Sequence, residues 1–463
     1  MPRKSDFCRS AAKTALFPTN LTTFKCSFAP FRLFDAICFL SFFYHSDFTM
    51  STLLIRNVQL DGNVTNILIE GNRFANLTAP ADTVADETYD ASGLVLVPSF
   101  FNTHTHASMT LLRGYADDLP LFPWLNDHIW PFEGKMRAED IYAGAKLATL
   151  EMIRSGTTWF CDMYWMAEET VRAVAESGIR ATVGVTLMDH LGEAEIKRQL
   201  DFLANWKDPT NGRISLAVAP HAVYTVSGEL LQRCAEAAKA NGQTLTLHVS
   251  ETEKEVQDCI EAHGMSPVRW LDHLGVLSDN VIAAHVVHID EEEAEILKER
   301  GVWIAHNPCS NMKLSSGIFA SDMLLKKGCR LTLGTDGTAS NNNLDMREEM
   351  KFAALLAKVR YTSETLPAGE ILRWATRNGA QAAGLDAGVI REGALADAVF
   401  LDLENERLVP NFNLTSNWVY SADTRAVRSV LCDGKFVMKD GMVEDAQETI
   451  ARARQSVKAI LSR

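Results

Sequence analysis

Hydrophobic and polar residues follow two patterns along this chain of 463 residues. After Met50, short apolar runs are separated by turn residues, as in "TLLIRNVQL", "NILIEGNRF" and "GLVLVP". Such runs between turns are typical of β-strands. From about residue 100 to 385, near-continuous apolar runs are each followed by an amphipathic, helix-like segment. Apolar strands of this kind are typical of a parallel sheet that helices cover on both faces.

Eight strand–helix repeats predict an α/β fold of the (β/α)8 TIM-barrel type. Strand-like segments occur again after the barrel, in "DAVFLDL" and "VRSVLCDGKFVMKDG". Both ends of the chain are therefore predicted to form a small composite β-sandwich domain. The predicted division is an atypical leader at 1–49, the first part of the β domain at 50–97, the (β/α)8 barrel at 98–385, the second part of the β domain at 386–445 and a C-terminal helix at 446–463.

The first 49 residues differ from the rest of the chain. They hold six Lys/Arg against three Asp/Glu, and ten of the 22 phenylalanines. A signal peptide is one interpretation, because "MPRK" precedes "FDAICFLSFFYHSDF", but Asp35 interrupts the apolar run and no small-residue cleavage site follows. The run is also shorter than the roughly 18 apolar residues of a membrane span. We therefore expect translation to start at Met50, with residues 1–49 spurious or disordered.

Composition narrows the classes of function. Hydrophobic residues at 47% and charged residues at 22% are values of a globular protein. The net charge of −14 and the lack of a basic stripe argue against a nucleic-acid partner, and no segment indicates a membrane protein. The six cysteines after Met50 are scattered without CxxC spacing, which is typical of free thiols in a reducing compartment and predicts a cytoplasmic protein.

The ends of the predicted barrel strands carry ionisable groups. In a parallel barrel the C-terminal strand ends form the catalytic face. A single histidine there is usually a satisfied polar group, but groups at the ends of five strands are far less probable by chance and indicate one site. These groups are His104, His106, His221, His248 with nearby Glu251, His285 and Asp336.

The residue types at these positions indicate metal chemistry. His104 and His106 are two residues apart on one strand and therefore share a face. Three histidines with Asp336 suit a divalent metal of the zinc type and leave room for a water molecule, which the metal would activate as a hydroxide nucleophile. Glu251, on a turn, can move protons, and His285 can polarise the reacting centre.

Simpler interpretations exist for several of these residues. Asp336 could be a turn residue beside glycine, and Glu251 could cap the helix that follows it. His288 is the alternative to His285 on the sixth strand, but it lies further from the expected strand end. His306, at the end of the seventh strand, is assigned no role.

The chain resembles a known family in several motifs. These are "NTHTHASMTLLRGYADDLPLFPWLNDHIWPFE", "APHAVYTVS", "LHVSETEKEV", "AAHVVHI", "HNPCSNMKL" and "LGTDGTASNNNLDM". Together they resemble the amidohydrolase superfamily, and more narrowly the 5-methylthioadenosine/S-adenosylhomocysteine deaminase group, which lies close to the triazine chlorohydrolases. The resemblance extends from Met50 to about residue 445.

This resemblance implies a mononuclear metal site and a purine nucleoside substrate. It implies that one Zn2+, or Fe2+ in some members, is bound by His104, His106, His248 and Asp336. It implies that Glu251, His285 and Asp336 are catalytic, and that Glu133 and His221 contact the sugar side of a substrate that also meets Glu251 and Asp336. Binuclear relatives use a carboxylated lysine on strand 4, and "RISLAVAPHAVY" contains no lysine, which favours one metal.

Two departures from the family pattern stand out. Pro98 is followed by Ser99, where the family usually has glycine. Some members hold the homocysteine carboxylate with arginines, but here Val185 stands where one might fall, and Lys197 and Arg198 are the nearby basic candidates. This favours a neutral substrate such as methylthioadenosine or deoxyadenosine.

The resulting prediction is a hydrolytic deaminase of adenosine-type nucleosides, in which hydroxide attacks C6 and ammonia leaves. The alternative is a hydrolase that removes chloride or an amine from triazines or other heterocycles with the same groups. A barrel that serves only as a scaffold is disfavoured, because every expected ligand is present. A homo-oligomer is left open.

Overall fold

The computed structural model describes residues 51–463, and the leader predicted at 1–49 lies outside the described residues. The strands of the described part are β1 (Thr52–Leu60), β2 (Asn63–Glu70), β3 (Arg73–Asn76), β4 (Glu87–Asp90), β5 (Leu94–Pro98), β6 (Phe100–Thr105), β7 (Thr157–Tyr164), β8 (Arg180–Leu187), β9 (Ile214–Pro220), β10 (Thr244–Val249), β11 (Val281–His285), β12 (Trp303–His306), β13 (Arg330–Leu333), β14 (Ala398–Asp402), β15 (Val427–Cys432) and β16 (Lys435–Met438).

The helices of the same part are α1 (Leu121–Trp124), α2 (Trp130–Glu133), α3 (Ala138–Ser155), α4 (Ala167–Ser177), α5 (Glu193–Ala204), α6 (Gly228–Asn241), α7 (Glu253–His263), α8 (Pro267–His273), α9 (Glu291–Glu299), α10 (Pro308–Lys313), α11 (Ser321–Lys327), α12 (Met346–Arg360), α13 (Ala368–Arg373), α14 (Gly379–Ala382), α15 (Leu414–Tyr420) and α16 (Ala446–Ser462). Within this part, no helix is both long and apolar enough to cross a membrane.

Strands β6 to β13 form the barrel and pair in parallel, in chain order. Every residue of β7 and β8 is buried, since one face of each strand meets the barrel interior and the other meets the covering helices. Side-chain and loop contacts join the last strand to the first: Thr103 Oγ1 donates to Leu333 O (2.9 Å), and Asp336 N donates to His104 O (3.0 Å). The predicted (β/α)8 barrel is confirmed.

Short polar caps begin several barrel helices directly after the strand ends. The side chains of Ser227, Thr252 and Asp290 accept backbone N–H groups from the first turns of α6, α7 and α9. These groups would otherwise lack a partner inside the helix. The caps keep the strand–helix connections short, so the strand ends and their polar residues stay at one face of the barrel.

The second sheet contains strands from both ends of the described chain. Its order is β16-β15-β14-β5-β1-β2-β3, with β4 beside β1, and its pairing is mixed. Phe74, before the barrel in the chain, and Phe400, after it, belong to one apolar cluster. Asn72 donates to Asp433 Oδ1 (2.9 Å) and joins the same two parts of the chain. The small β unit predicted from both ends of the chain is present as one mixed sheet, where a sandwich was predicted. The prediction omitted β4, because "ETYD" has no apolar run.

Candidate active site

Four side chains meet at the C-terminal end of the barrel. His104 lies in β6 and His106 follows it, His248 lies in β10, and Asp336 lies three residues after β13. His106 Nε2 is 3.2 Å from Asp336 Oδ1 and 3.3 Å from His248 Nε2, and His104 Nε2 is 3.6 Å from Asp336 Oδ1. The structure thus brings together the four residues predicted as metal ligands.

The hydrogen bonds of these histidines leave their Nε2 atoms facing one another. His106 Nδ1 lies 2.6 Å from Met163 O, and His248 Nδ1 lies 2.8 Å from His221 O. Because a carbonyl oxygen only accepts, each Nδ1 carries a proton, and in the neutral imidazole, the form in which histidine binds a metal, each Nε2 then has a lone pair. Such lone pairs beside a carboxylate repel one another unless a cation lies between them. These atoms therefore fit a divalent metal ion, with the imidazole rings of His106 and His248 oriented by hydrogen bonds to backbone carbonyl groups.

Electrostatics at the cluster agree with this fit. Burial lowers the pKa of His104 to about 4 and that of His248 well below its usual range, so both imidazoles are neutral. Burial opposes ionisation of Asp336, but the neighbouring imidazoles of His104, His106 and His285 outweigh it and hold the pKa of that carboxyl well below its usual range. Burial also lowers the pKa of His106, but Asp336 and the Met163 carbonyl raise it more, to about 9. The position beside Asp336 thus attracts positive charge.

The loop that carries Asp336 packs closely against the barrel. Ser310 Oγ donates to Asp336 Oδ2 (2.5 Å), and Gly337 N donates to Asp336 Oδ1 (2.7 Å). A side chain at Gly334 would place its Cβ 2.5 Å from Asn307 Oδ1, so only glycine allows this approach. The carboxylate is therefore held in one orientation, towards the histidines.

An acid–base pair lies beside the four candidate ligands. His285 Nε2 is 3.7 Å from Glu251 Oε2 and 3.9 Å from Asp336 Oδ2. Ser316 Oγ donates to Glu251 Oε1 (3.1 Å), and His285 Nδ1 lies 2.8 Å from Asn311 Oδ1. Burial raises the pKa of Glu251, which makes this carboxyl easier to protonate near neutral pH. The pair is suited to proton transfer at a group bound next to Asp336.

Two further histidines near the strand ends lie elsewhere: His288, the alternative to His285, and His306, which was assigned no role. His288 Nε2 contacts the Ser316 carbonyl oxygen, and His306 stacks on Phe319 with ring centroids 4.2 Å apart. Neither residue lines the catalytic cavity, whereas His285 does. The geometry favours His285 over His288 on the sixth strand.

One cavity of about 60 Å3 contains seven of the eight predicted site residues in its wall, and His104 lies behind them. These seven are His106, Glu133, His221, His248, Glu251, His285 and Asp336. Aromatic side chains form much of the remaining wall, namely Trp124, Trp130, Tyr164, Trp165 and Tyr224. Among residues 51–463, no lysine or arginine lines this cavity. Its acidic character suits a cation and an uncharged aromatic ligand, but not a phosphate group.

The two residues predicted on the sugar side lie in the wall of this cavity. Glu133 ends α2 and accepts a hydrogen bond from Tyr164 OH (2.6 Å). His221 follows β9, and its Nδ1 lies 2.9 Å from Thr225 Oγ1. Burial raises the pKa of Glu133 and lowers that of His221 to about 3. Sequence reasoning missed Tyr164, although its position at the end of β7 was a signal.

A larger chamber of about 810 Å3 adjoins the catalytic cavity, and Glu133 lines both. Val185 and Arg198 line the chamber, whereas Lys197 does not and instead pairs with Asp201. The Arg198 guanidinium pairs with Glu195 (2.8 Å) and Glu168 (3.3 Å). Within the described residues, Arg198 is the only Lys or Arg that lines the chamber, and its charge is already matched by two carboxylates.

The fold and the site define a metal-dependent barrel hydrolase, and the chain belongs to the amidohydrolase family, whose model matches residues 95–437. It is 46% identical over 392 residues to the 5'-deoxyadenosine deaminase of Methanothermobacter thermautotrophicus, covering 83% of this chain and 91% of that protein. It is also 46% identical over 379 residues to the 5-methylthioadenosine/S-adenosylhomocysteine deaminase of Thermococcus sibiricus, covering 81% of this chain and 89% of that protein. The resemblance stated from the motifs is confirmed.

Solved structures extend the comparison. An adenosine deaminase from Xanthomonas campestris with bound zinc superposes with a TM-score of 0.82 and 33% identity, over 89% of this chain and 99% of that one. A zinc complex of an atrazine chlorohydrolase from Arthrobacter aurescens gives a TM-score of 0.80 and 24% identity, over 88% and 100%. At this lower identity the likeness shows the shared fold alone.

Proposed function

We propose that this protein is a hydrolytic deaminase of adenosine-type nucleosides, which converts the 6-amino group of the purine into a 6-oxo group and releases ammonia. The observation that carries the proposal is the convergence of the His106, His248 and Asp336 donor atoms with Glu251 and His285 in one aromatic-walled cavity. Relatives named as deaminases of such nucleosides, at 46% identity over most of the chain, support it.

We infer one divalent metal per chain, Zn2+ with Fe2+ as the alternative, bound by His104, His106, His248 and Asp336. In binuclear relatives a carboxylated lysine on the fourth barrel strand bridges the metals. The fourth barrel strand here is β9, and it contains no lysine. When bound, the metal would lower the pKa of a coordinated water towards neutrality and so supply the nucleophile.

The remaining chemistry belongs to the protein's own side chains. Glu251 takes a proton from the attacking water and delivers it to N1 of the purine while the oxygen adds to C6. His285 Nε2 and Asp336 Oδ2, which are 3.9 Å apart, orient that oxygen between them. The hydroxyl proton then passes to the amino group, the C6–N bond breaks and ammonia leaves. Burial of Glu251 keeps its pKa raised, as this exchange of protons requires.

The wall of the cavity is suited to a nucleoside. Its tryptophan and tyrosine rings offer faces on which a purine can stack. Glu133 can accept hydrogen bonds from ribose hydroxyls, and His221 also lines the cavity. Because the described residues place no lysine or arginine in this wall, nucleosides are favoured over nucleotides.

The adjoining chamber would receive the 5' substituent. A carboxylate there would meet an Arg198 that is already paired with Glu195 and Glu168, and Val185 in place of a second cation. We therefore rank methylthioadenosine and 5'-deoxyadenosine above S-adenosylhomocysteine. We further infer a cytoplasmic enzyme, since the cysteines between residues 161 and 432 are free thiols.

The test is ammonia release by the zinc-loaded protein from methylthioadenosine, 5'-deoxyadenosine, adenosine and S-adenosylhomocysteine, with atrazine as a further substrate. Turnover of a nucleoside that disappears in Asp336→Ala supports the proposal. Turnover of atrazine alone, despite one bound metal per chain, would support the heterocycle hydrolase instead.

A further inference from the structure

A second buried glutamate lies next to the proposed proton carrier. Glu255 is in the first turn of α7 and has 1% of its surface exposed. Its Oε1 accepts the backbone N–H of Ser250 (2.9 Å), and its Oε2 accepts the backbone N–H of Glu251 (2.7 Å). One carboxylate thus binds two consecutive peptide groups of the turn that carries Glu251.

The simpler interpretation of Glu255 is a helix cap. The sequence Thr252-Glu253-Lys254-Glu255 has the capping-box pattern, in which the glutamate side chain accepts the N–H of the N-cap residue. Thr252 does cap α7, because its Oγ1 accepts the N–H of Glu255 (3.2 Å). The Glu255 carboxylate, however, extends past Thr252 to the two residues before it. It therefore stabilises the strand-end turn rather than the helix start.

That turn is a conformation that needs support. Ser250 has φ of 50°, in the left-handed region that residues other than glycine rarely adopt. Ser250 and Glu251 are both buried, so their N–H groups have no access to water and depend on Glu255 for a partner. Both carboxylate oxygens accept from N–H donors, and these hydrogen bonds favour the ionised form against the burial that raises the pKa of Glu255 to about 7.

The same turn is joined to the loop that carries the second proposed acid–base residue. Ser250 O accepts the backbone N–H groups of Val287 (3.1 Å) and His288 (3.0 Å). This loop begins at His285, which has φ of 73°. The peptide group between Ser250 and Glu251 therefore connects the Glu255 carboxylate to the backbone that follows His285.

We propose that Glu255 is a positioning residue that holds Glu251 in the orientation for proton transfer, through the backbone of the Ser250–Glu251 turn. The proposal rests on the proposed function of Glu251. Glu255 does not line the catalytic cavity, and within residues 51–463 its carboxylate hydrogen-bonds to the Ser250 and Glu251 backbone rather than to any of the four candidate ligands.

The test is a double-mutant cycle of Glu255→Gln with Glu251→Gln. Glutamine keeps the size of Glu255 but turns its amide NH2 towards one of the two N–H groups. In the otherwise native protein we expect kcat to fall by about 10- to 100-fold, the usual range for residues that orient catalytic groups, with little change in KM or metal content. In the Glu251→Gln background the further loss should be below about threefold, because the group being positioned is already disabled.

Several outcomes decide the matter. Equal losses in both backgrounds, or no loss in kcat, would overturn the proposal. Glu253→Gln, on the exposed side of the same helix, is the matched control and should leave kcat unchanged. If Glu255→Gln does not fold, Glu255→Asp replaces it in the cycle, since it keeps the charge but is one methylene too short to bind both N–H groups.

Amide hydrogen exchange separates this proposal from the assignment of the reaction. We expect faster exchange at residues 250 and 251 in Glu255→Gln than in the native protein or in Glu253→Gln. Unchanged exchange at these amides would count against the positioning role whatever the substrate is. Absence of nucleoside turnover by the native protein would count against the proposed function alone.

Discussion

The catalytic cavity has two walls that are built in different ways. One wall, which we call the metal wall, consists of His104, His106, His248 and Asp336. Each of these residues lies in a barrel strand or within three residues of one, and the main chain near each is paired with a neighbouring strand or loop. The positions of their side chains therefore follow from the backbone of the barrel.

The opposite wall, which we call the nucleoside wall, consists of Trp130, Glu133, Tyr164 and Trp165. Tyr164 ends β7 and Trp165 follows it, but Trp130 and Glu133 lie outside the barrel strands, in the short helix α2 that a wide helical turn joins to α1. The Glu133 carboxylate accepts a hydrogen bond from the hydroxyl group of Tyr164, and no barrel strand carries it. This wall also separates the catalytic cavity from the larger chamber.

The difference indicates how chemistry and selectivity are divided in this protein. The hydrogen-bonded backbone of the barrel strands is rigid, which suits metal ligands because metal–ligand distances tolerate little variation. Side-chain packing in an irregular segment can change without disturbing the barrel. We therefore expect changes on the metal wall to abolish the reaction, and changes on the nucleoside wall or in the chamber to alter which substrate is used.

The largest effect is expected from Asp336→Ala on the metal wall. The variant should lose its bound metal, and kcat/KM should fall by at least about 10^3, because a catalytic metal contributes several kcal/mol to transition-state stabilisation. Metal analysis and ammonia release measure the two effects. Asp258→Ala, at an exposed salt bridge with Lys254, is the control. Full metal content in Asp336→Ala would show that the proposed ligand set is wrong.

Glu251→Gln should be nearly as damaging but for a different reason. Loss of the proton carrier should lower kcat by about 10^2 to 10^4, while the metal stays bound, because Glu251 is not a proposed ligand. Steady-state kinetics with metal analysis distinguishes this variant from Asp336→Ala. A kcat within threefold of the native value would exclude Glu251 as the main proton carrier.

Glu133→Gln tests the nucleoside wall. A hydrogen bond to a charged group contributes about 1.5 to 3 kcal/mol, so we expect KM for nucleosides to rise by about 10- to 100-fold with a smaller change in kcat. Free adenine, which lacks the ribose, is the control substrate and should be affected much less. An equal effect on adenine and on nucleosides would contradict a role in sugar binding.

The smallest effect is expected from Val185→Arg in the chamber. An unpaired guanidinium there should raise kcat/KM for S-adenosylhomocysteine relative to methylthioadenosine by about tenfold, which corresponds to about 1.4 kcal/mol for one charged hydrogen bond. Val185→Leu is the control and should leave the ratio unchanged. An unchanged ratio in an active Val185→Arg protein would mean that the 5' substituent does not reach this residue.

The metal wall could be foreseen from the sequence, whereas the nucleoside wall could not. Histidines at the ends of apolar strands come together in any parallel barrel, because all strand ends lie on one face. Glu133 was identified only through the family resemblance, because no feature of the neighbouring sequence distinguishes it from other acidic residues in helix-like segments. Tyr164 was missed, because a tyrosine at a strand end is common in a core.

The same contrast applies to the fold and to the second glutamate. The barrel strands were predicted from continuous apolar runs, but β4 (Glu87–Asp90) was not, because it has one buried residue and pairs through its backbone with β1. Glu255 fits a capping box in the sequence, and only the structure shows that its carboxylate binds the turn before the cap.

The sequence by itself determined the alternation of strands and helices, the composite β domain and the residue types available for metal binding, because hydrophobic periodicity and turn chemistry are local properties. The tertiary structure alone decided which polar atoms face each other. The Tyr164–Glu133 hydrogen bond and the approach of Asp336 to His106 join residues that are 31 and 230 positions apart, and such contacts arise only when the packed barrel excludes water and brings its strand ends together.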